Sequence, residues 1–113
     1  MLAVVIDVDS TFAALADPTR RRIVELLRER PRRAGELAAQ FDVTGPAVSR
    51  HLRVLRRSGL VEERGTDADA RVRIYHLRPE PLVALRAWVD QVQAFWSDQL
   101  DAFRQHVERG DQQ

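Results

Sequence analysis

Residues 44–58 hold four arginines and no carboxylate. At helical spacing, about 100° per residue, Val48, Leu52 and Leu55 fall on one narrow stripe. Pro46, Arg50, Arg53 and Arg57 cluster on the opposite side, with Ser49 at their flank. A guanidinium can bond phosphate oxygens, or the O6 and N7 of guanine, through two parallel donors. Such a face is suited to recognising a polyanion, and duplex DNA in particular. A solvated arginine-rich surface has the same composition, and a pI near 8.5 is only mildly basic, so charge alone leaves both readings open.

The elements around this segment sharpen the choice. Thr44 caps the helix, Gly45 and Pro46 fill its first turn, and Gly59 suits the left-handed position that ends it. A short helix over about residues 34–41, with Leu37, Ala38 and Phe41 inward, and a tight turn at Asp42 to Thr44 precede it. Together they form a helix-turn-helix unit, in which the first turns of the second helix enter the major groove. Upstream, Ser10 is expected to cap a first helix with Phe12, Leu15 and Ala16 inward. Asp17-Pro18 opens a second helix that buries Ile23, Val24, Leu26 and Leu27 and stops at Pro31. Downstream the period changes to two. Leu60 to Arg64 and Arg71 to Leu77 read as a hairpin around a polar turn, with Val72, Ile74 and His76 on one face. Pro79 and Pro81 then open a last helix over about residues 80–108, and Gly110 onward is expected to fray. The sequence therefore predicts one domain over residues 1–113, mainly α with a β-hairpin. Its order, α-α-α-α-β-β-α, is that of a winged helix-turn-helix with a wing over about residues 60–77.

Particular residues carry a further likeness. Phe12-Ala13-Ala14-Leu15-Ala16-Asp17-Pro18-Thr19-Arg20-Arg21-Arg22-Ile23 resembles the entry motif of the arsenic-repressor (ArsR) family of bacterial transcriptional regulators. Gly35-Glu36-Leu37-Ala38 resembles its third helix. Pro46 to Leu55 and Ser58-Gly59-Leu60-Val61 are similar to its recognition helix and exit, and Tyr75-His76-Leu77 to the end of its wing. Pro81-Leu82, Trp88, Phe95-Trp96 and Leu100 resemble a branch with a long final helix that does not sense metals. The resemblance implies a homodimeric repressor on a near-palindromic operator, with DNA-reading positions at Gly45, Pro46, Ser49 and Arg50. Many members carry a polar side chain, often Gln, where this chain has Gly45. Base reading then rests on Ser49 and Arg50, with Arg53 as a further candidate. Thr44, Gly45, Pro46, Ser49, Arg50, Arg53, Arg71 and Arg73 make up the expected DNA-binding set.

Other chemistry is poorly supported. With no cysteine among 113 residues, disulfides, thiolate metal sites and thiol nucleophiles are excluded. The family's metal sensors use cysteine pairs on the third helix, where this chain has Ala38 and Ala39. Asp98, Asp101 and His106 read as solvated polar positions rather than as the three or four close ligands a zinc site needs. No catalytic triad, phosphate-binding glycine loop or HExxH motif is present, so the chain is not expected to be an enzyme or to carry a cofactor. Leu2 to Ile6, the longest apolar run, is too short to cross a bilayer and is followed by Asp7 and Asp9, so a cytoplasmic protein is expected. His51 either reaches a phosphate or packs, and His76 is expected to be structural. Arg32 and Arg33 read as phosphate contacts or as solvated. Asp67 and Asp69 at the hairpin tip should point away from DNA, leaving Arg71 or Arg73 to meet the backbone or minor groove.

Charge varies along the chain. Residues 18–33 carry seven arginines against two glutamates, whereas residues 79–113 carry three arginines against six acids. The last helix has another role to suit that balance. Leu82, Leu85, Val89, Val92, Trp96, Leu100, Phe103 and Val107 recur three or four residues apart, forming one stripe that Trp88 and Phe95 widen. At about 1.5 Å per residue the helix is about 40 Å long, more than so small a domain covers. An exposed apolar stripe of that length predicts a homodimer built on Leu85, Trp88, Val89, Val92, Trp96, Leu100 and Phe103. The alternative function is a winged helix that binds proteins without specific DNA recognition. Retention on heparin and a salt-sensitive shift of duplex DNA would discriminate the two. The operator and any small-molecule effector are not legible.

Overall fold

The computed structural model describes residues 7–66, 68, 69 and 71–111. Five helices and three short strands follow one another as α1 (Val8–Leu15), α2 (Pro18–Glu29), β1 (Arg32–Arg33), α3 (Ala34–Ala38), α4 (Gly45–Arg57), β2 (Val61–Gly65), β3 (Arg73–Leu77) and α5 (Glu80–Asp111). The core is built where the first four helices meet the sheet. Ile23, Leu26 and Leu27 of α2 meet Leu37 of α3, then Val48, Leu52 and Leu55 of α4, and Leu60 and Val61 beyond it. The residues of α2, α3 and α4 among these lie on the faces that their helical spacing predicts.

Local chemistry fixes the helix ends. The Asp17 carboxylate accepts the N–H of Thr19 at 2.8 Å and of Arg20 at 3.1 Å, and Pro18 occupies the first turn of α2. Thr44 Oγ1 accepts the N–H of Ala47 at 3.2 Å to start α4. At the other end Gly59 takes φ 79°. There its N–H donates to the Arg56 carbonyl, and that of Leu60 to the Leu55 carbonyl, each at 3.0 Å. This glycine-terminated cap turns the chain straight into the wing. A side chain at position 59 would meet only the ordinary contact of Pro81 Cγ at 3.7 Å. The positive φ is therefore what calls for glycine.

Several expectations are corrected. Helix α1 begins at Val8, because Asp7 caps it, accepting the N–H of Asp9 at 3.0 Å and the Ser10 hydroxyl at 2.9 Å. This start buries Thr11 and Ala14 and leaves Phe12 exposed. Phe12 instead meets Trp88 of α5 edge to face, with ring centroids 5.2 Å apart. Helix α3 ends at Ala38 rather than Phe41, its last carbonyls closing tight turns onto Gln40 and Phe41. The wing strands begin at Val61 and Arg73, one and two residues later than expected. Within β3 it is Tyr75 and Leu77 that pack on the core, so Ile74 and His76 occupy the other face.

The hairpin also gains a third strand. Strand β1 pairs antiparallel with β3, Arg32 opposite Tyr75 and Arg33 opposite Ile74, giving the order β1-β3-β2. The Leu2 to Ile6 run and Asp67 lie outside the described residues. Helix α5 runs through Gly110 to Asp111, 32 residues, or about 48 Å. A compact chain of this length has a radius of gyration of about 13 Å, whereas this one has 20.5 Å, with extents of 76 × 40 × 21 Å. No helix among the described residues is long and apolar enough to cross a membrane.

Candidate nucleic-acid interface

Helix α4 carries the site. Its inner edge is fixed by Val48, Leu52 and Leu55, all essentially inaccessible, so its rotation about its own axis is set by the core. Thr44, Gly45, Pro46, Ser49, Arg50, Arg53 and Arg57 are all exposed on the other side. Among the described residues, no carboxylate lies within ion-pair distance of Arg50, Arg53 or Arg57, whereas Arg56 is bound to Glu63. The result is an acid-free guanidinium surface on the exposed side of the second helix of a short helix-turn-helix. Gly45 adds only backbone, and the space where its side chain would project is empty to 4 Å. The sequence brought these residues together correctly on one face.

The wing is less simply basic. Arg71 is bound to Asp69, its Nε 3.3 Å from the carboxylate and its backbone N–H donating at 2.9 Å. Arg64 forms a two-pronged pair with Glu62, at 2.8 and 3.2 Å. That hydrogen bond holds the Glu62 carboxyl below its ordinary range and raises Arg64. Arg73 Nε lies 3.4 Å from Glu63. Asp69 thus engages Arg71 directly and offsets part of its charge.

Arg32 is not available to any phosphate. Only 9% exposed, it donates through Nε to the Leu26 carbonyl at 3.1 Å and through Nη2 to Glu29 at 2.9 Å. It locks the end of α2 to the sheet, and the charged residue type concealed that role. Arg33 remains exposed. His51 is half-buried, with Nδ1 3.3 Å from Arg20 Nη1. The sequence reading missed Glu63, which sits between α4 and the wing. Its alternation with buried Val61 is the signal that could have found it. Burial and the nearby Glu63 carboxylate raise the Tyr75 phenol above its ordinary pKa. Among the described residues no three His, Asp or Glu side chains gather into a metal-holding group, and Asp98, Asp101 and His106 lie on the exposed length of α5.

A core shared by the first four helices, an exposed outer face on the second helix of the helix-turn-helix and a β-wing define a winged helix-turn-helix DNA-binding domain. Residues 17–63 match the bacterial regulatory protein family arsR. A Mycobacterium tuberculosis protein, HTH-type transcriptional regulator Rv2034, is 44% identical over 100 residues, covering 88% of each chain. The Bacillus subtilis transcriptional repressor SdpR is 34% identical over 55 residues, 49% of this chain and 61% of that one. An ArsR-like transcriptional regulator from Rhodococcus sp. RHA1 superposes with a TM-score of 0.79 at 30% identity, covering 89% of this chain and 90% of its own. The chain belongs to the ArsR family of transcriptional regulators, and its family and relatives are regulators rather than enzymes.

Proposed function

We propose that the chain is a homodimeric repressor that binds a near-palindromic operator in cytoplasmic DNA. The observation that carries this reading is the exposed, acid-free face of α4. Ser49 and Arg50 read base edges, with Arg53 beside them, and Thr44, Gly45 and Pro46 bring the helix start against the phosphate backbone. Arg71 and Arg73 of the wing approach the backbone as partly neutralised groups. The relative named a transcriptional repressor supports the direction of regulation.

Dimerisation is supported by α5. From Arg86 to Gly110 every residue is exposed, including Trp96 at 61% and Phe103 at 67%. A soluble monomer rarely leaves so long an apolar stripe in water. Pairing two copies through Leu85, Trp88, Val89, Val92, Trp96, Leu100 and Phe103 covers it. A two-fold axis then presents the two α4 helices to successive major grooves, about 34 Å apart. Selection of bound sequences from a random duplex pool tests the reading. The expected product is a two-fold-related pair of half-sites about one helical turn apart. Recovery of no sequence, with no salt-sensitive binding to any duplex, would return the domain to the protein-binding alternative.

A further inference from the structure

Among the described residues of the wing, Glu63 is the acid that pairs with the recognition helix. Its side chain is 17% exposed, and it meets Arg56 Nη1 at 2.8 Å and Arg73 Nε at 3.4 Å. Arg56 lies in the last turn of α4 and Arg73 opens β3. One carboxylate therefore joins the reading helix to the far strand of the wing. The strand register explains how. Glu63 stands opposite Tyr75 and Gly65 opposite Arg73, so side-chain alternation puts Glu63, Arg73 and Tyr75 on the face that also carries buried Val61. The two guanidiniums remain about half exposed, at 51% and 56%. Each is thus a cation at the edge of the DNA-binding surface with its charge offset from behind.

Arginine near phosphate favours every duplex alike, because the attraction comes from counterion release and carries no sequence information. Arg50, Arg53 and Arg57 already supply that attraction. Two further free cations beside them would strengthen binding to arbitrary DNA without reading a base. We propose that Glu63 is a specificity-setting residue, whose carboxylate offsets Arg56 and Arg73 and ties the wing to the recognition helix, holding down binding to non-operator DNA. The inference rests on the DNA-binding reading of α4 and extends it to a residue that touches no base.

Glu63→Gln keeps the side chain's size and removes its charge. On a duplex without the operator, the slope of log affinity against log salt should steepen by about 0.9 for each arginine released onto a phosphate. The one carboxylate offsets a single unit of charge between the two arginines, so its loss corresponds to about one such contact, an affinity gain of about three- to fourfold across a fourfold change in salt. Operator binding gains the same attraction but loses the fixed angle between wing and helix. The ratio of operator to non-operator affinity should therefore fall about three- to tenfold. If wild type prefers its operator and Glu63→Gln keeps both the wild-type slope and the wild-type ratio, the role of Glu63 is overturned while the reading of α4 stands. If wild type binds no duplex at all, both fall. Should Glu63→Gln fail to fold, Glu63→Met, uncharged and of similar length, gives the same test. A non-operator slope and an operator preference both unchanged from wild type in that variant would reject the proposal.

Discussion

The Nη1 atom of Arg20 lies 3.3 Å from Nδ1 of His51. An arginine can only donate, so Nδ1 accepts and the ring proton sits on Nε2. The same guanidinium donates to the carbonyls of Ala14 at 2.6 Å and Ala13 at 3.2 Å, at the end of α1. One side chain on α2 thereby ties the end of α1 to the middle of the reading helix. Arg20→Met removes these bonds and strands the Ala14 carbonyl, while that of Ala13 keeps the Ala16 N–H at 3.3 Å. The substitution should lower unfolding stability by about 2 kcal/mol, measured as a shift of the urea midpoint with unchanged slope. His51→Gln retains an acceptor and should cost less than half as much.

On the DNA side, Arg50→Ala should lose about 1–3 kcal/mol of discrimination at the base pair it reads. Ser49→Ala should relax the preference at a neighbouring position. Both are measured by titrating the selected operator and single-mismatch variants at fixed salt. If both substitutions bind the operator as tightly as wild type, α4 is not the reader.

Trp96→Asp puts a charge in the centre of the α5 stripe and touches no DNA-facing residue. Light scattering at micromolar concentration should report monomers, or insoluble protein, and operator binding should vanish. A wild-type monomer that still binds a palindromic site tightly would contradict the dimer.

Acid should weaken the fold in part through Asp17. Burial acts to raise its pKa. The Arg20 N–H, the neighbouring His51 ring, the Thr19 N–H and the Arg20 charge together outweigh that and leave it below the ordinary 3.8. Since the folded value lies below the unfolded one, the stabilisation is complete above the unfolded value and is lost as pH falls through the folded one. Asp17→Ala should cost about 1 kcal/mol at neutral pH as a lost cap. The gap between variant and wild type should narrow on acidification below about pH 4, as read from denaturation midpoints across pH.

Operator affinity should be unchanged by a strong chelator and by added zinc. The chain has no thiolate, and the described residues hold no cluster of three metal-binding side chains. A saturable change at one metal per subunit would redirect attention to Asp98, Asp101 and His106.

The recognition helix was legible because its signals agree. Thr44 starts it, Gly59 ends it, and Val48, Leu52 and Leu55 select its inner face, so the arginines have only one side left. The first helix was misread because hydrophobicity favoured Phe12 over Thr11. Thr11 is buried because its hydroxyl reaches the Asp7 carbonyl at 3.3 Å, and Phe12 is drawn to Trp88, 76 residues away in sequence. Arg32 escaped for a similar reason, since a charged side chain reads as solvated until a carbonyl and a carboxylate are found waiting for it. A two-residue strand such as β1 has no period to detect. The seam at Glu63 depends on how the wing folds back onto α4, which spacing along either element does not reveal.

Gly45 stands at the first turn of α4 with open space around it and an ordinary helical backbone. Nothing in the core depends on what projects from that position. A longer polar residue such as glutamine can therefore be installed there without disturbing a packed neighbour, adding a reach toward one more base pair. The scaffold is indifferent to the side chain at this point, so a single change there alters the exposed surface of α4 while the fold is kept.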